Sequence, residues 1–143
     1  MSAENLFGPA NWFTMAGWLL LIAGVVLRRD WLRDRLAAIY WPLLLSAGYC
    51  IAISLGFGES GGSFSTLQGV RQLFSNDWAL LAGWVHYLAF DLFVGAWIAR
   101  DAARANLSRL VLVPVLPLTF LFGPAGFLLF VIIKAASGKG ATS

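Results

Sequence analysis

Four apolar stretches, about Phe7 to Leu27, Leu36 to Phe57, Trp78 to Ile98 and Leu110 to Lys134, take up most of this chain of 143 residues. The hydrocarbon core of a bilayer is about 30 Å thick, and about 20 residues of α-helix cross it. Within that core every backbone N–H and C=O must be satisfied inside the segment, which a helix does alone. With 59% hydrophobic and 12% charged residues, the chain has too little polar coat for an ordinary soluble domain. The expectation is an all-α fold: an integral membrane four-helix bundle with short loops. A single domain, residues 1–143, carries helices at about 8–27, 36–57, 78–100 and 110–134.

Charge placement orients the expected bundle. Arg28, Arg29, Arg33 and Arg35 separate the first two stretches, and Arg100, Arg104 and Arg109 separate the last two, whereas Arg71, Lys134 and Lys139 fall on the other side. Seven cations against three, read by the positive-inside rule, put both termini outside and the Arg-rich loops in the cytoplasm. Trp12 and Trp78 then mark the outer boundary and Trp31, Trp41 and Trp97 the inner one. The basic residues form no aromatic-rich soluble face, so no nucleic-acid partner is expected. Met1 to Asn11 carries Glu4 and no Lys or Arg, unlike a cleavable signal peptide, and no plastid transit segment is evident; a multi-pass bacterial inner membrane protein is expected. Cys50 is the only cysteine, so no internal disulfide forms, and one His among scattered carboxylates gives no metal site. Haem ligation by His86 lacks a supporting second histidine.

The longest connection, Gly58 to Asp77, changes character halfway. Ser65-Thr66-Leu67-Gln68 resembles a capping box, and Leu67, Val70, Leu73 and Phe74 recur at helical spacing. This predicts a short amphipathic helix on the outer surface, either a lid or a simple interfacial segment, with Asn76 or Asp77 capping the next helix. The fourth stretch is interrupted at Pro114, Pro117 and Gly123-Pro124. Pro124 has no N–H, so the carbonyl of Phe120 loses its helical partner and calls for another. The tail Ser137 to Ser143 reads as disordered.

His86 and Asp91 lie inside the third stretch. A carboxyl at a helix centre costs at least about 2.5 kcal/mol to insert, so such a residue is buried in the bundle, paired, or exposed to a wet cavity. Ala79, Gly83, Tyr87, Asp91 and Gly95 form an i, i+4 stripe whose small members admit a neighbouring helix. His86 lies about 140° around the wheel from Asp91 and about 7.5 Å along it, so the two form no simple dyad. They flank a sector containing Phe90, Gly83, Val94 and Tyr87, suited to two groups acting at different points of one apolar ligand. Asn11, Thr14, Tyr49, Cys50 and Ser54 are expected around an outward polar pocket, with Trp18 and Trp84 deeper. The alternative is that His86 and Asp91 each bond a neighbouring helix and fix its register.

The string Gly83-Trp84-Val85-His86-Tyr87-Leu88-Ala89-Phe90-Asp91-Leu92-Phe93-Val94-Gly95, together with Phe120-Leu121-Phe122-Gly123-Pro124-Ala125-Gly126, resembles the neoxanthin-synthase-like (abscisic-acid-deficient-4-like) membrane family. The likeness runs from Asn11-Trp12 through the Gly-Pro break, and His-x4-Asp-Leu-Phe is its specific element. It implies a four-helix membrane protein linked, in plants, to conversion of violaxanthin into neoxanthin. That internal isomerisation needs an acid at the epoxide oxygen and a base at carbon, and no cofactor. His86 and Asp91 are the catalytic candidates, since burial in hydrocarbon favours a neutral, proton-donating carboxyl. Asn11, Thr14, Tyr49, Trp84, Tyr87, Phe90, Phe120 and Pro124 are the ligand-binding candidates. The expected partners are membrane lipid and a carotenoid or related isoprenoid, with a homo-oligomer left open. Two other functions stay in view: a non-catalytic pigment-binding or accessory subunit, and a small transporter.

Overall fold

The computed structural model describes residues 2–58 and 60–138 and is all-α, with no strand among the described residues. The helices are α1 (Ala3–Val26), α2 (Trp41–Gly56), α3 (Leu67–Leu73), α4 (Asp77–Arg104) and α5 (Leu112–Ala136). Four helical segments, Ala3–Val26, Trp31–Gly56, Asp77–Arg104 and Arg109–Ala136, have the length and apolar composition to cross a membrane. The expected disordered tail lies, beyond Gly138, outside the described residues.

The second segment begins earlier than its hydropathy suggests. Residues Trp31–Tyr40 are wound as a π-helix that runs directly into α2, and the N–H of Trp41 donates to the carbonyl of Leu36, five residues back. Arg33 makes the charged start possible by bonding Asp30 at 2.9 Å and Asp34 at 2.7 Å. Arg33 and Arg35 are therefore helical rather than part of a loop. The α1 end approaches closely, because a β-carbon on Gly24 would lie 2.7 Å from the backbone nitrogen of Arg33.

The connections close with recognisable caps. Arg28 and Asn106, just past α1 and α4, take left-handed backbone (φ 56° and 52°). Arg29 N–H then returns to the Gly24 carbonyl and Leu107 N–H to the Ala102 carbonyl, each five residues back. Such bonds satisfy carbonyls that a helix end leaves open. Thr66 caps α3 by accepting from the Gly69 N–H at 3.0 Å, one residue later than the Ser65 cap that the capping-box reading implies. Asn76 caps α4 by accepting from Trp78 and Ala79.

Two compact units make up the chain, one of Met1–Met15 with Leu43–Ala89 and one of Ala16–Pro42 with Phe90–Ser143. In the first unit α3 is tied down: Gly62 abuts the backbone of Leu73, and Phe74 fills the space over Gly83. In the second, Trp18 packs on Gly95 and meets Phe120 edge-on at 5.4 Å, while Trp41 covers Gly17. Of the four apolar helices α4 is the most enclosed, with 56% of its most hydrophobic window buried against 28% in each of the others. Any polar group on its buried face is thus held by protein.

Candidate functional site

Asp91 is such a group. It sits on α4 with Leu88, Ala89 and Leu92, all buried, and is itself only 6% exposed. Opposite it α5 is broken: Phe122 leaves helical geometry (φ −144°, ψ 46°), one residue before Gly123-Pro124. The sequence places the defect at the Phe120 carbonyl; the structure places the change of direction at Phe122, because Pro124 begins the next helical run. Proline suits that first turn, where its missing N–H has no helical acceptor in any case. Gly123 presses on the carboxyl of Asp91, so that a β-carbon there would fall on Oδ1 and 2.8 Å from Cγ. Hence Asp91 packs on the break at Gly123, next to Pro124, while the Phe120 ring meets Trp18.

The break is closed tightly. Thr119 is fully buried and donates to its own helix at the Val115 carbonyl, 2.8 Å. Gly126 abuts Thr119, whose Oγ1 and backbone nitrogen a β-carbon would strike. Beside this buried carboxyl the flanking aromatic residues are outward, with Phe90 55% and Phe122 62% exposed.

His86 has different surroundings. It is exposed and lies against the ring of Tyr49, 5.4 Å between centroids and tilted by 59°. Asn11 uses both ends of its amide, donating to the Phe7 carbonyl at 2.8 Å and accepting from the Trp84 indole at 3.0 Å. The Trp84 ring also meets Phe7 and Tyr87 at 5.6 and 5.5 Å. Thr14 is buried and donates to the Ala10 carbonyl. Ser54 donates to the Ile51 carbonyl, and Cys50 is exposed. In the first unit, then, Asn11 and Trp84 come together, as do Tyr49 and His86.

Sequence reasoning missed a groove of about 340 Å³ lined by Ala3, Glu4, Phe7, Asp77, Leu80, Leu81 and Trp84. The acidic residues at the start of α1 and α4 are its one legible sign. Among the described residues no group of three or more His, Cys, Asp or Glu is placed to hold a metal.

A family model described as ABA DEFICIENT 4-like matches residues 5–130. The match takes in α1 through most of α5, including His86, Asp91 and the Gly123-Pro124 break. No curated protein and no solved structure matches the chain.

Proposed function

From the premise that the chain belongs to the ABA DEFICIENT 4-like family, we propose that it binds a carotenoid or related isoprenoid within the membrane and isomerises it by acid/base chemistry. The observation that carries this reading is the buried Asp91 carboxyl, held in the apolar helix α4 against the broken turn of α5 and flanked by outward aromatic rings.

The reaction is the one implied by the resemblance to neoxanthin-synthase-like proteins. As an epoxide C–O bond opens, its oxygen gains a proton. A polyene carbon loses one, and the electron pair of that C–H bond becomes a π bond of the allene. Atoms and electrons balance, so this is an isomerisation that consumes no oxidant or reductant. We assign Asp91 as the acid at oxygen and His86 as the base at carbon, each proton transfer contributing about 10²- to 10⁴-fold. Phe90, Phe120 and Pro124 are the ligand contacts we assign with Asp91, and Tyr49, Tyr87 and Trp84 those we assign with His86. Asn11 holds Trp84 through the bond described above, and Thr14 completes the ligand contacts we assign. We place the protein as a multi-pass component of a bacterial inner membrane.

The test is the pigment that the purified protein carries from a carotenoid-producing bacterial host. The expected result is an isomer absent from the host alone and absent with Asp91→Asn, while that variant still retains pigment. The same unchanged pigment on both proteins would make this a binding protein, and no pigment on either would overturn the carotenoid reading.

A further inference from the structure

Residues Thr119 and Gly126 are seven apart, which in a straight helix separates them by about 10 Å along the axis. Here they touch, with a β-carbon on Gly126 lying 2.6 Å from the Thr119 Cα. The break at Phe122 therefore does more than tilt α5; it folds the helix back on itself.

Beyond the break, α5 keeps step with α4. Gly123 lies on Asp91, Phe127 and Phe130 lie 5.6 and 5.9 Å from Trp97, and Lys134 bonds Asp101 at 2.7 Å. Both chains advance in the same direction through these contacts, so residues 123–136 run parallel to α4. The segment before the break departs from the end of α4 through the turn at Asn106, and a cleft lined by Ala99, Ala102 and Ala103 also includes Leu112, the first residue of α5. Leu112 and Lys134 thus both lie at the same end of α4.

We infer that α5 is a re-entrant helical hairpin that enters the membrane from the side bearing Arg100, Arg104 and Arg109, turns at Phe122 and Gly123 against Asp91, and leaves on that same side. Its ten residues from Leu112 to Leu121 reach about 15 Å, half the hydrocarbon thickness. The ten residue steps of α4 from Asp91 to Asp101 reach equally far, which sets the turn near mid-membrane. At the turn Gly123 and Gly126 are buried, against Asp91 and Thr119, while Leu121, Phe122, Pro124 and Ala125 face outward. Charge agrees as well. Lys134 joins the seven arginines at the two Arg-rich connections and the helix ends beside them, so the division expected from a fourth crossing becomes eight against Arg71 alone among the described residues.

The experiment uses the full chain with Cys50→Ser and single cysteines at Ser108→Cys, in the Arg-rich loop, or Ser137→Cys, after α5. Both are labelled with a membrane-impermeant maleimide in spheroplasts and in inverted vesicles. Labelling of the two positions in the same preparation, in the same proportion, is expected; labelling in opposite preparations would overturn the hairpin. A second measurement needs no sidedness. Spin labels at Leu110→Cys and Ser137→Cys, 27 residues apart, are expected within about 25 Å of each other, whereas a straight helix would hold them about 40 Å apart. The longer distance would equally overturn the proposal.

Discussion

Gly123 has no β-carbon, and the carboxyl of Asp91 occupies the space one would take. Gly123→Ala is accordingly expected to cost about 1–3 kcal/mol, the usual range for overpacking, read as a lowered melting temperature in detergent. Gly8→Ala, where nothing lies within 4 Å, is the control expected not to lower melting, since alanine favours a helix over glycine by about 0.5–1 kcal/mol. Asp91 itself was legible, because a carboxyl within a long apolar run has few places to go. Its partner was legible only in kind: Gly123-Pro124 announced a break, but no spacing rule says what a break will face. Asn11 and Trp84 are the converse case. Each is an amphipathic residue in an apolar helix, and nothing in the pattern of either indicates that they bond each other across 73 positions.

Short elements were written most plainly in the chain. The α3 helix follows from Leu67, Val70 and Leu73 at helical spacing, its cap falling on Thr66 and not on the Ser65 of the capping-box reading, and Asn76 follows from the preference for short polar residues at a helix start. Thr66→Ala removes the acceptor for the Gly69 N–H and is expected to destabilise α3 by about 0.5–2 kcal/mol. Faster hydrogen exchange at Gly69 and Val70, with α4 unchanged, is the corresponding readout. The π-winding of Trp31–Tyr40 was not legible, since hydropathy sees three charges there and stops the helix, whereas the Arg33 pairs with Asp30 and Asp34 let it continue. Lys134 and Asp101 join two elements that hydropathy alone would let diverge. Because both are partly exposed, a double-mutant cycle with Lys134→Met and Asp101→Asn is expected to give a coupling of only about 0.2–1 kcal/mol.

For the whole molecule, composition was enough to predict an all-α chain with four long apolar helices. How the fourth runs was not, because a 25-residue apolar helix and two halves folded on each other have the same hydropathy. The difference is made by one residue, Phe122, whose dihedral angles no composition records. That fold-back encloses the carboxyl on which the functional reading rests. The most direct test is the initial rate of epoxy-carotenoid isomerisation in proteoliposomes by the parent protein, Asp91→Asn and His86→Ala, each checked for unchanged melting. A fall of at least about 100-fold for both variants is the predicted result; Asp91→Asn turning over at the parental rate would contradict the account.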